Sequence, residues 1–240
     1  MMKHNRYLIL AAALLLSTKI DAQEWVPHYY LEVEQMPDAT KFLPDYPRPG
    51  SYLFENDSLV YEQGKRMRET PRGAQAVADT SLYVRYFMQR FGEAAGISLT
   101  PEEYPLLSQF LDDSYTTIRL AIKKAKKVYA RHRPYQYFAE GTPVPSQEEP
   151  DDFTSYPSGH TIRAWGAALV MVAVDPEHQD SYLKAGYEMG QSRTIVGFHY
   201  QSDIDAARLA AGSGFARLVA DKKWQHDLRK VQKEFKKKQK

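Results

Sequence analysis

Lys126 and Arg133 stand seven positions apart, and Pro134 follows them. On one continuous helix that spacing returns both cations to nearly the same face. A point charge beside a planar guanidinium fork suits an oxyanion. The neighbouring Lys123, Lys124, Lys127 and Arg131 also allow a plain solvated basic face. Further on, Ser155-Tyr156-Pro157-Ser158-Gly159-His160-Thr161 leads into the apolar run 162–174. This reads as a turn feeding a buried helix: Ser158 caps it, and Gly159 lets a ligand approach the backbone. The free N–H groups of the first turn attract an anion, and His160 stands at the rim as a proton donor. An ordinary capped helix with an incidental histidine fits the same residues. The third cluster joins Ser192-Arg193 to His199 and Asp203. At i and i+4 on a helix, Asp203 would reach the His199 imidazole, fix its proton on one nitrogen and free the other for attack. Arg193 would add a third cation, although a weak surface His–Asp contact is the competing reading.

Helices must hold these side chains. The hydrophobic pattern is helical throughout, with no sustained alternation and no internal repeat. A Pro- and Tyr-rich arm, 23–52, precedes the body. Asn56 or Asp57 can cap a helix over 59–67, and Pro71 can open another that reaches residue 91. Thr100-Pro101-Glu102-Glu103 marks the next start. The pattern then predicts a long helical segment over 113–132 closed by Pro134, a polar loop over 140–156, and helices over 158–174, 176–192 and from Gln201 into the tail.

The order and spacing of the three clusters resemble the signature of the PAP2-type phosphatase superfamily: K-x6-R-P, then P-S-G-H, then S-R-x5-H-x3-D. Here Lys126, Arg133, Pro134, Pro157, Ser158, Gly159, His160, Ser192, Arg193, His199 and Asp203 fill it. Other stretches are similar to the class A bacterial acid phosphatases. They are Asn56-Asp57, Tyr61-Glu62-x-Gly64, Thr70-Pro71-Arg72-Gly73, Ala78-Asp79, Glu188-x-Gly190-Gln191 and Gln201-Ser202-Asp203-x-Asp205-Ala206-Ala207-Arg208. The likeness covers most of 42–220. That class usually reads G-S-Y-P-S-G-H-T, and Thr154 replaces the leading glycine here.

The resemblance implies an all-α helical bundle of the acid phosphatase and vanadium haloperoxidase type. It implies hydrolysis of phosphate monoesters through a phosphohistidine, with no metal or other cofactor, and leaves phosphotransfer to a second alcohol open. By the same resemblance His199 is the nucleophile, Asp203 orients it, and His160 is acid and then base. Lys126, Arg133, Ser158, Gly159 and Arg193 hold the phosphate. Substrates would be small phosphorylated organic molecules, with vanadate and phosphate as inhibitors. An unperturbed histidine, titrating near ~6.5, would make His160 a suitable acid at low pH. The rivals are a vanadate-dependent haloperoxidase, a lipid phosphate phosphatase and a non-catalytic periplasmic oxyanion-binding protein.

The chain has 240 residues, 43% hydrophobic and 26% charged, with no linker-like stretch, which argues for one globular domain and against disorder. It has no cysteine, excluding disulfides, thiolate metal sites and a lipidated lipoprotein start. Lys3, His4 and Arg6 precede the apolar run 7–16, and Ala22 offers a small residue for cleavage. The expected organisation is a signal peptide over 1–22, the phosphatase domain over 23–221 and a basic amphipathic tail over 222–240, in a periplasmic or secreted protein. His28, His132, His178 and His226 show no metal-ligand spacing. The tail sets nine Lys and Arg against Asp227 and Glu234. Its stripe of Trp224, Leu228, Val231 and Phe235 predicts a docked helix, with contact to a membrane surface or polyanion as the alternative. No nucleic-acid partner is expected, and homo-oligomerisation stays open.

Overall fold

Local capping decides where several helices start. The computed structural model describes residues 28–239; the expected signal peptide lies outside the described residues. Ser51 opens α1 (Tyr52–Met67), its Oγ accepting from the Phe54 N–H at 3.2 Å. Asp57, expected as a cap, therefore falls inside the helix and is buried. The helix expected over 71–91 is two, α2 (Pro71–Ala78) and α3 (Val84–Ala95). They part where the Asp79 carboxylate turns inward to accept from Gln75, Tyr86, Arg90 and Ser192. Thr100 caps only a turn through the Glu103 N–H, and α4 (Pro105–Arg119) starts later. The first-turn donors of α4, Leu106 and Leu107, are satisfied by Glu234 from the far end of the chain.

The single helix expected over 113–132 breaks twice. A 3-10 turn, Leu120–Ile122, separates α4 from α5 (Lys123–Tyr129), and Ala130 then adopts the left-handed region at φ 42°. That conformation costs an L-residue roughly 1–2 kcal/mol. The cost is offset because the turn drives the next residue, Arg131, into the core against two carboxylates. Pro134 begins the short α6 (Pro134–Tyr137) instead of closing a long helix.

The centre of the bundle is α7 (Gly159–Val174), capped by Ser158 as the sequence predicts. Its apolar residues face every direction, so it is buried among α4, α8 (Gln179–Ile195) and α9 (Gln201–Leu218). Gly186 lets α8 approach closely: a Cβ there would lie 2.6 Å from the Ala168 Cβ. The helix expected to run from Gln201 into the tail is interrupted at Asp221, which caps α10 (Lys222–Lys238). α10 packs on α4 through Trp224, Val231 and Phe235, and the Trp224 indole donates to Ser114 Oγ at 2.8 Å. The arm before α1 lays Leu31, Met36 and Leu43 into the same core. Among the described residues there is no strand, and the fold is all-α.

Candidate active site

His199 does not lie on a helix. It sits in the turn between α8 and α9, just before Tyr200, the residue that caps α9. Asp203 is in the first turn of α9, and its carboxylate accepts from the Tyr200 N–H at 2.9 Å. The same carboxylate oxygen is 3.3 Å from His199 Nδ1. The expected pairing is present, but a capping interaction makes it, not two residues on one helical face. On the other side of the ring, His199 Nε2 is 3.2 Å from Arg133 Nη1. A carboxylate only accepts and a guanidinium only donates, so Nδ1 carries the proton and Nε2 presents its lone pair. Burial, followed by the charges of Arg133, Arg193 and Lys126, holds this imidazole well below the usual histidine range. The fold therefore favours the neutral imidazole of His199.

Behind the pair lies a network absent from the sequence-level candidates. Arg131 Nη1 donates to Asp203 at 2.7 Å and to Ser202 Oγ at 2.8 Å, while Nη2 donates to Asp57 at 2.8 Å. Asp57 also accepts from the Ser202 N–H and hydroxyl, and Ser155 Oγ donates to Asp203 at 2.6 Å. The Tyr200 ring covers the Arg131 guanidinium at 3.8 Å. The sequence allows Arg131 a place on a solvated basic face, whereas it is only 3% exposed. The available signal was the pair of acids, Asp57 and Asp203, that lie in buried stretches with no cation assigned to them.

Lys126 and Arg133 come together by a different route from the one their spacing suggested. Lys126 is on α5, but Arg133 follows the break at Ala130 and stands at the start of α6. One turn of the loop 140–156 holds both. Asp152 accepts from Arg133 Nε at 2.9 Å and Nη2 at 2.5 Å, which leaves Nη1 facing His199 and the Phe198 carbonyl. Thr154 donates its N–H and hydroxyl to Asp152, and its carbonyl accepts from Lys126 Nζ. Burial tends to raise the Asp152 carboxyl, but Thr154 and Arg133 outweigh it and pull it down to about 2. Burial and the Arg133 charge push the Lys126 ammonium down to about 7. Gly159 lies directly against this lysine, since a Cβ there would be 3.3 Å from Lys126 Cε.

Arg193 is buried on α8, and its Nε and Nη1 have no hydrogen-bond partner among the described residues. Burial and the nearby Arg133 lower it to about 9. Ser158 Oγ accepts from the Thr161 N–H and hydroxyl, which leaves its own proton to donate. Ser192, also in the signature, is structural: its hydroxyl donates to Asp79 at 2.5 Å and ties α8 to α2.

His160 Nε2 is 3.1 Å from the Thr80 carbonyl, which makes Nε2 the protonated nitrogen and leaves Nδ1 to gain and lose a proton. The ordinary titration expected for it is overturned: burial, then the charges of Arg193 and His199, pushes it well below the usual range. Desolvation in the bundle and the nearby Arg193 charge disfavour the imidazolium, and neither is visible in sequence. Among the described residues no three His, Asp or Glu converge as a metal site would.

The charges of Arg133, Arg193 and Lys126 thus act on the buried His199, and those of Arg193 and His199 act on the half-buried His160 in the first turn of α7. The PAP2 superfamily matches residues 111–227. A non-specific acid phosphatase of Providencia stuartii is 41% identical over 212 residues, covering 86% of this chain and 84% of its own. A non-specific acid phosphatase of Salmonella typhimurium is 31% identical, covering 96% of this chain and 92% of its own. An acid phosphatase of Zymomonas mobilis is 28% identical, covering 83% and 76%. The chain belongs to the PAP2 superfamily, alongside these bacterial acid phosphatases.

Proposed function

We propose that this protein is an acid phosphatase that hydrolyses small phosphate monoesters through a phosphohistidine. The supporting observation is the clamp on His199, whose proton is held on Nδ1 by Asp203 while Nε2 presents its lone pair among the cations. In the first step Nε2 attacks phosphorus in line, the P–O bond to the leaving alcohol breaks, and His160 gives that oxygen a proton. Asp203 stabilises the positive charge that develops on the His199 ring. In the second step His160 takes a proton from water, the resulting oxygen attacks phosphorus, and the N–P bond breaks to release phosphate and neutral His199. Arg133 Nη1 moves from Nε2 to a phosphoryl oxygen as substrate enters. Arg193, Lys126, the Ser158 hydroxyl and the Gly159 N–H hold the remaining oxygens. Phosphoryl transfer asks mainly for positioning and charge stabilisation, which these groups supply.

Unpartnered Arg193 donors favour this reading, because a buried guanidinium left unsatisfied is costly and phosphoryl oxygens satisfy it. The phosphate dianion would also raise His160 and Lys126 toward their charged forms, loading the acid when substrate is bound. The chemistry as proposed uses no metal. We place the protein in the periplasm or outside the cell on the strength of its N-terminal sequence. No helix among the described residues is long and apolar enough to cross a membrane.

The test is hydrolysis of para-nitrophenyl phosphate from pH 4 to 8, with EDTA and with orthovanadate, in the parent and in His199→Ala. Activity that resists EDTA, is blocked by vanadate and disappears in His199→Ala is the expected result. Acid-labile, base-stable phosphate trapped on the parent protein identifies the intermediate. Turnover that survives in His199→Ala would overturn the nucleophile assignment.

A further inference from the structure

A cavity of 720 Å³ opens beside the phosphate centre and has His160 in its wall. Its other walls include Thr80 and Tyr83 from the α2–α3 connection and Asp112 and Tyr115 from α4. His160 is the group that protonates the departing oxygen, so the organic part of the substrate leaves on this side. Arg163 also lines the cavity, one turn beyond His160 on the same face of α7, a rise of about 4.5 Å.

The environment of Arg163 is unusual for a half-buried guanidinium. Its hydrogen bond is a long one, 3.4 Å from Nη1 to the Gly159 carbonyl in its own helix. No carboxylate lies within ion-pair distance of it among the described residues. Burial and a second guanidinium, Arg119, push it down to about 10. Arg119 makes no hydrogen bond among the described residues, and its Nε is buried without a partner. Asp112, on the facing wall, has Oδ1 engaged by the Tyr115 hydroxyl and Oδ2 buried without a partner; it favours the Arg163 charge from across the cavity without pairing with it, and burial raises its carboxyl. Two arginines that repel one another and lack carboxylate partners are stabilised by an anion reaching them. The catalytic phosphate does not account for them, because Arg133, Lys126 and Arg193 already surround His199.

We infer that this cavity is a leaving-group site in which Arg163, supported by Arg119, binds a second anionic group, so that the preferred substrates carry a carboxylate or further phosphate a few atoms beyond the ester oxygen. The inference rests on the phosphatase reading and specifies its substrate class.

Two esters of matched shape test it: 4-carboxyphenyl phosphate and its amide, 4-carbamoylphenyl phosphate, each hydrolysed at pH 6 by the parent, Arg163→Gln and Arg163→Lys. The readout is the ratio of the two kcat/KM values, which does not depend on the fraction of folded enzyme in a preparation. The parent should favour the carboxylate about tenfold or more, the effect of one charge-assisted hydrogen bond, mainly through KM. Arg163→Gln should bring the ratio close to unity, and Arg163→Lys should keep part of the preference. A parent ratio near unity, or a preference that Arg163→Gln retains, overturns the inference alone. No turnover of either ester by the folded parent overturns the phosphatase reading and this inference with it.

Discussion

Replacing Arg131 by Met removes the one cation that bridges Asp57 and Asp203, and the consequences are calculable from its contacts. Arg131 donates three charge-assisted hydrogen bonds of 2.7–2.8 Å, and both carboxylates are at most 1% exposed. Methionine fills much of the same volume, so the loss is electrostatic. Breaking a buried ion pair from one side typically costs about 3–5 kcal/mol. At roughly 2–4 °C per kcal/mol for a chain of this size, the melting temperature should fall by about 6–20 °C. Ser155 and the Tyr200 N–H still hold Asp203, so the folded variant should keep activity with kcat about tenfold lower, equivalent to roughly 1.4 kcal/mol. The pH dependence gives the stricter check. Carboxylates stripped of their cation relieve themselves by taking up protons, so the deficit against the parent should be larger at pH 7.5 than at pH 4.5. Arg131→Lys, which lacks the fork needed to reach both acids, should fall between. Thermal melts at the two pH values and turnover at 25 °C measure all of this. A shift under about 2 °C, or a deficit equal at both pH values, would refute the network as the element holding Asp203.

Removing the acid, His160→Asn, should cost roughly 10²–10⁴-fold on alkyl phosphates and far less on para-nitrophenyl phosphate, whose leaving group needs no proton; equal losses on both would take His160 out of that role. Lys126 sits near 7 in the free protein, so it is charged below that pH and loses its charge above it. Inhibition by phosphate should therefore weaken as pH rises through 7, and in Lys126→Arg the decline should disappear, as inhibition constants across pH 5.5–8.5 will report. His199 is held neutral in the fold while the unfolded chain protonates it near ~6.5, so unfolding takes up a proton in acid. Stability should fall by about 1.4 kcal/mol per pH unit below that point on account of this group, and His199→Gln should show a shallower slope in denaturant titrations.

The order and spacing of the three clusters, through the family they resemble, supplied the candidate site residues, and the hydrophobic pattern supplied the helical character of the fold. Ser158 opening α7, Gly159 beside it and the apolar run behind them were legible because capping and burial of a continuous hydrophobic helix are local properties. The stripe of Trp224, Val231 and Phe235 on α10 was legible for the same reason. Breaks were not. Nothing local distinguishes 113–132 from one helix, and the turn at Ala130 exists because Asp57 and Asp203, distant in sequence, draw Arg131 inward. The division between α2 and α3 likewise depends on Asp79 finding Arg90 and Ser192. How the site is built was a tertiary decision as well. Lys126 and Arg133 meet through the Asp152–Thr154 turn and not along a helix face, and His199 meets Asp203 through a helix cap. Most of all, the charge states of His199, His160 and Lys126 depend on how much water the bundle excludes and how close the arginines stand. Desolvation and Coulomb interaction are set by distances in space, and sequence separation does not encode them.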